Sequence, residues 1–154
     1  MKILAIDVGT TETGFCLIDE GTYKPIRFGK ISNEDLLEIV KNEDYDTLIY
    51  EEFQSYGMPI GVSTITSITW NGRYMQIALD RGKQVDYIYR KEEKLNLCNS
   101  MKAKDSNIRQ ALIDRFGVVG TKKAKGFFYG FKKDIWAAYA VGVTWIDKQK
   151  ELNK

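Results

Sequence analysis

Histidine is absent from this 154-residue sequence, and cysteine occurs only twice. Without histidine there is no Ser-His-Asp triad, no Cys-His pair, no HExxH zinc site and no imidazole general base. Two cysteines are too few for a zinc site of their own. Cys16 and Cys98 lie far apart in apolar surroundings and read as reduced core residues of a cytosolic protein. Long apolar runs are also missing, so no segment has the length of a membrane span. The N-terminus enters a strand at once, so no secretory leader is expected there. No repeat, low-complexity tract or linker divides the chain. It reads as one domain over residues 1–154, long enough to bury roughly 70% of its unfolded surface. Chemistry in such a chain falls to carboxylates, lysines, hydroxyls or a hard metal ion.

The net charge of +2 hides an asymmetry. Residues 1–70 carry 5 Lys/Arg against 12 Asp/Glu, and residues 71–154 carry 18 against 9. A basic second half points to a polyanionic partner, nucleic acid above all; mixed charge on solvated helix faces is the plainer alternative.

The opening stretch, MKILAIDVGTTETGFCLIDE, reads as strand, tight turn, strand. Ile3 to Val8 is apolar except for Asp7, as in a strand buried on both faces. A carboxylate there is costly unless it meets a cation or a donor, or caps its own Gly9-Thr10-Thr11 turn. Gly14 to Asp19 and Lys24 to Lys30 are predicted as two further antiparallel strands. Asn33 is the predicted N-cap of a helix whose stripe is Leu36, Leu37 and Val40. Asp46 to Phe53 follows as a strand reached through that helix, hence parallel to the first. A long helix over about 63–80 has Ile65, Ile68, Trp70, Tyr74, Ile77 and Ala78 as apolar positions and ends at Gly82. Gln84 to Tyr89 is a fifth strand. Two helices, Lys91 to Leu97 and Ser106 to Phe116, precede an irregular basic segment over 117–133 and a final helix from Asp134 to Lys148.

This order predicts an α/β fold with a mixed five-stranded sheet, in which the first and fourth strands lie side by side. Their C-terminal ends then meet at one edge, where open α/β sheets keep their sites. Those ends carry Asp7 and the pair Glu51-Glu52; only one of the pair faces a given side. With Asp134 at the head of the last helix, three acids stand at three element ends. A histidine-free cluster of acids suits Mg²⁺, or Mn²⁺ in its place. Two such ions about 3.5–4 Å apart would clamp a phosphodiester. A solvated strand end and an ordinary helix-N-terminal acid are the plainer readings of Glu51-Glu52 and Asp134.

The motifs AIDVGTTETGFCLID, IYEEF and DIWAAYAVGV, in this order and over nearly the whole chain, resemble the RuvC-like Holliday junction resolvases of the RNase H-like superfamily. The short, histidine-free form is most similar to phage-encoded members, which would act in the cytoplasm of a bacterial host. The resemblance implies an RNase H-like fold and a metal-dependent endonuclease that binds four-way junctions and other branched DNA as a homodimer, with the long helix as its dimer surface. It assigns Asp7 and Glu51 as metal ligands, with Glu52 as a shift by one. On the last helix the family shows D-x-x-D-A-x-A. Here Asp134 fits the first acid and Ala137 stands where the second belongs. The other register sets Asp134 on the second acid and Phe131 on the first. Either way one ligand is missing, and cleavage by this chain is in question.

The resemblance also implies a lysine near the penultimate helix, matched loosely by Lys102 and Lys104, with Lys104 the candidate catalytic cation. Arg90 and Lys91 are further candidates for phosphate contact. Lys122, Lys123 and Lys125 interleave with Phe127, Phe128 and Tyr129, so cations would meet phosphates and rings would stack on bases or dock the loop. Phe53 and Tyr56 are candidate wedges at a branch point. Two other readings remain: a junction-binding protein without catalysis, which Ala137 favours, and a phosphotransferase of the actin and sugar-kinase type, for which the chain is too short.

Overall fold

The computed structural model describes residues 1–154. Strands β1 (Lys2–Asp7), β2 (Glu12–Asp19) and β3 (Pro25–Ser32) are followed by helix α1 (Asn33–Asn42), β4 (Thr47–Glu52) and α2 (Val62–Asp80). Then come β5 (Gln84–Tyr89), α3 (Arg90–Cys98), α4 (Asp105–Phe116) and α5 (Lys133–Leu152). The five strands form one sheet in the order β3-β2-β1-β4-β5. β1, β2 and β3 pair antiparallel; β1 with β4 and β4 with β5 pair parallel. No helix is long and apolar enough to cross a membrane.

Strand periodicity sorts the core onto two faces. Ile3 and Ala5 of β1, Cys16 and Ile18 of β2, Ile49 of β4 and Ile88 of β5 pack with α5 and α4. Leu4, Ile6, Phe15, Leu17, Leu48 and Tyr50 pack with α1 and α2 on the other face. α5 is buried continuously from Ile135 to Ile146 apart from Ala137. It lies close because residue 142 is glycine: a Cβ there would stand 2.4 Å from Ile18 Cδ1 and 3.1 Å from Ala5 Cβ.

Several local expectations change. The cap of α1 is Ser32, whose hydroxyl accepts from the Asp35 N–H. Asn33 is instead buried; its amide donates to the Gly9 carbonyl, and its side-chain oxygen accepts from Thr13 at 2.6 Å. It therefore pins the β1–β2 turn. On α2 only Tyr74 and Ala78 are fully buried, while Ile65 and Ile68 are exposed, so the apolar stripe is wider than the surface the sheet offers. Phe128 is fully buried among Phe116, Phe131, Trp136 and Tyr139, and Phe127 stacks on Phe116, so this loop docks on the core by its aromatic rings. The tip with Lys122, Lys123 and Lys125 stays in solvent, closed by a bridge between Gly120 and Lys125.

Candidate active site

Asp7 continues the alternation of Ile3 and Ala5, so it faces α5. Glu51 follows Ile49 onto the same side, whereas Glu52 turns to the other face, where it accepts from the Tyr50 hydroxyl at 3.3 Å. Asp7, Glu51, Asp134 and Ala137 line one cavity of about 490 Å³, together with Arg90, Asp105, Arg109 and Lys133. Glu51 and Ala137 are therefore the members of the two ambiguous positions that face it; Phe131 is buried in the aromatic cluster.

β2 opens the floor for Asp134. Asp7 pairs with Gly14 in register, and Gly14 pairs with Lys30 of β3, so the three residues form one row across the sheet. A Cβ at Gly14 would meet the Asp134 backbone oxygen at 2.5 Å and its Cβ at 2.9 Å. Only a residue without a side chain lets the start of α5 settle between Asp7 and Lys30. There the Asp134 carboxylate accepts from Lys30 Nζ at 2.7 Å.

The electrostatics are those of crowded acids. Burial, reinforced by the charges of Glu51 and Asp134, pushes the Asp7 carboxyl from its ordinary 3.8 up to about 7. Behind Glu51 lies Glu93, fully buried on α3. Burial, then a hydrogen bond with Glu51 and its charge, push the Glu93 carboxyl well above the carboxylate range. Protonated, it can donate to Glu51. Arg90 offsets part of this charge, reaching Glu93 at 3.4 Å and pairing with Asp105. No three of the acids close around a common point as a finished metal cage. The donor set is nevertheless the kind a hard divalent cation takes: carboxylate oxygens in one cavity, one of them raised by burial and then by its like-charged neighbours.

A second cavity of about 370 Å³ shares Asp7 and Glu51 and runs along α2, past Thr10, Phe53, Ser63, Ser67 and Asn71. Phe53 is 40% exposed at its mouth. Tyr56 is 68% exposed and holds a left-handed backbone, φ 52°, next to Gly57. Lys102 and Lys104 stand exposed in the turn before α4, outside the acid cavity; the wall begins with their neighbour Asp105. Lys91 leans over the Tyr89 ring at 5.6 Å. Lys122, Lys123 and Lys125 also lie outside the cavity.

Of the cations expected from sequence, Arg90 is the one brought to the acids; Arg109, Lys133 and Lys30 join it without having been foreseen. Arg109 follows Asp105 by one helical turn, a weak signal. Lys30 becomes visible only through the register of three strands. Glu93, in the polar stretch KEEK, gave no sign of burial.

Mixed sheet, strand order and flanking helices define an RNase H-like fold of the RuvC type. The chain is similar to RuvC from Thermus thermophilus, with a TM-score of 0.71 at 15% identity over 98% of this chain and 97% of that one. It is equally similar to T. thermophilus RuvC in complex with a Holliday junction substrate, TM-score 0.72 at 14% identity, covering 97% and 96%. The yeast mitochondrial Holliday junction resolvase Ydc2 gives 0.67 at 13% identity, covering 98% of this chain and 80% of that one. No protein-family model and no curated protein sequence matches the chain. The likeness is one of fold.

Proposed function

We propose that this protein is a divalent-metal-dependent, structure-selective DNA endonuclease that acts on four-way junctions and other branched DNA. The observation that carries the reading is the convergence of Asp7, Glu51 and Asp134, from three separate elements, on one cavity walled by Arg90, Arg109 and Lys133. Its support is a fold shared over nearly the full length with a protein solved on a Holliday junction.

Asp7, Glu51 and Asp134 would hold Mg²⁺ or Mn²⁺, two ions per site. When bound, such ions activate water and neutralise charge on the phosphodiester. The chain's own residues do the rest. Arg90, Arg109 and Lys133 draw the phosphate toward the acids and stabilise the charge that grows on it. The buried Glu93 fixes the orientation of Glu51. The outlying lysines Lys91, Lys102, Lys104, Lys122, Lys123 and Lys125 would track phosphates further along the arms. Phe53, exposed at the mouth of the second cavity, and Tyr56, exposed in the loop that follows it, would wedge the branch point. α2, with Ile65 and Ile68 exposed, would pair with a second copy, giving two cuts per junction.

Ala137 favours a second reading, a junction-binding protein that does not cut, because the position where a fourth acid is expected carries a methyl group in the cavity wall. One assay separates the two. Mg²⁺-dependent cleavage of a synthetic four-way junction is measured for the chain as it stands, for Ala137→Asp and for Asp7→Asn. The nuclease reading expects Ala137→Asp to cut faster by orders of magnitude and Asp7→Asn to bind without cutting. Junction binding with no cleavage by either the parent or Ala137→Asp would establish the second reading. No junction binding at all would overturn both.

A further inference from the structure

The cavity that holds the acids does not end at Asp134. A second groove of about 650 Å³ continues from it, sharing Arg109, Lys133, Asp134 and Trp136 and adding Lys30 and Lys132. Four cations line it, and Asp134 is its one acid. Two of the cations, Lys132 and Lys133, sit at the N-terminus of α5, where the helix dipole disfavours positive charge, and Lys132 makes no side-chain cap. Cations gathered against a helix N-terminus repel it and one another unless an anion joins them. The anion there now is the Asp134 carboxylate, held by Lys30.

Asp134 therefore has two claims on it. It lines the acid cavity, where a cation would need it, and it is the partner of Lys30 in the next groove. Both side chains are about two-fifths exposed, 43% and 39%, so the pair can exchange partners without unfolding anything. Gly14, between Asp7 and Lys30 in the sheet row, seats the Asp134 backbone and Cβ directly over that row, so the Asp134 side chain starts between its two claimants.

We propose that the Lys30–Asp134 pair is a substrate-released latch: the groove of Lys30, Arg109, Lys132 and Lys133 takes a second phosphate of the DNA strand, and Lys30, on meeting it, releases Asp134 to the divalent cation. This deepens the nuclease reading and rests on it. Lys30 acts through Asp134, so it is a positioning residue. The consequence is order: without DNA, Asp134 stays with Lys30 and the acid site is incomplete, and branched DNA assembles it.

The test uses the full chain, with Mn²⁺ alone as the first probe, followed by calorimetry or by its paramagnetic resonance signal. Lys30→Met removes the competitor, so Mn²⁺ affinity without DNA should rise about three- to fivefold, the scale of an exposed ion pair. Lys30→Arg should behave like the parent, and Lys30→Met combined with Asp134→Asn should lose the gain. The second probe is a synthetic four-way junction in EDTA. Lys30→Met should bind it more weakly, with the log–log salt slope smaller by about 0.9.

Unchanged Mn²⁺ affinity in Lys30→Met, including no measurable binding by either form, would overturn the latch. A gain in Mn²⁺ affinity with an unchanged junction affinity and slope would overturn the exchange with phosphate. If both shifts are seen while neither the parent nor Ala137→Asp cleaves, the latch stands and the nuclease reading fails.

Discussion

Asp7→Asn should stabilise the metal-free protein while removing the group on which its proposed chemistry depends. In the native state the Asp7 carboxyl titrates at about 7, against 3.8 when exposed. Between these values the folded chain holds a proton that the unfolded chain has released. Stability therefore falls as pH rises from about 4 to 7 and levels off above. A shift of about three units corresponds to about 4 kcal/mol at roughly 1.4 kcal/mol per unit. Water at the half-buried carboxylate and relaxation of Glu51 and Asp134 bring this to about 2–3 kcal/mol. Asn has nearly the same shape and no charge. The difference between Asp7→Asn and the parent should thus be near zero at pH 4 and reach about 2–3 kcal/mol in favour of Asn at pH 8. That corresponds to a rise in Tm of about 4–12 °C for a chain of this size. Urea unfolding followed by tryptophan fluorescence, in chelator, at pH 4, 6 and 8 measures it. A variant less stable than the parent by the same amount at all three values would refute the reasoning, because Asp7 would then act by hydrogen bonding and packing rather than by strained charge.

Gly14→Ala should cost about 1–3 kcal/mol, because the new Cβ meets the Asp134 backbone, which cannot rotate away; the same variant should lower Mn²⁺ affinity by displacing Asp134. Asp147 accepts from Tyr23 at 2.6 Å, Asn96 at 2.8 Å and Arg115 at 2.7 and 2.8 Å. Burial would raise its pKa, but these donors outweigh it and hold the carboxyl below the ordinary value. Asp147→Asn should therefore cost about 2 kcal/mol at pH 7 in chemical denaturation, and the deficit should shrink as pH falls below about 3.8, where the parent loses the same charge. Glu93→Gln keeps the uncharged form that burial already imposes; its unfolding free energy should decline less with rising pH than the parent's in a urea series from pH 5 to 9.

The order of elements was legible because each follows a local rule. Apolar runs ended at Gly9 and Gly82, and the helix between the first and fourth strands made them parallel neighbours. From that alone Asp7 and one of two glutamates had to reach the same edge. Strand parity narrows the pair, since Ile49 and Glu51 share a face, but which face meets α5 is decided only when helices pack on both sides. Asn33 shows the limit of a local rule. Its type and place suit a cap, yet the bare Gly9 carbonyl of a distant turn and the Thr13 hydroxyl at the start of β2 compete for its amide group and win, leaving the cap to Ser32.

The cations were the least legible part. A surplus of lysine and arginine in the second half is visible by counting, but a count does not tell which of them reach the acids. Lys30 comes from the acidic half, and no spacing in the sequence links it to Asp134. The link is made by the pairing of β1 with β2 and β2 with β3, by a glycine in the middle strand, and by a helix that begins over the gap. Glu93 is similar, an acid in a polar stretch that becomes buried only because α3 lays that turn against Glu51. Residue type and periodicity determined the strands, the helices and the acids at their ends, because those depend on neighbours along the chain. The partners of those acids depend on register and on helix placement, which are settled by packing among residues far apart in sequence, and so only the tertiary structure decided them.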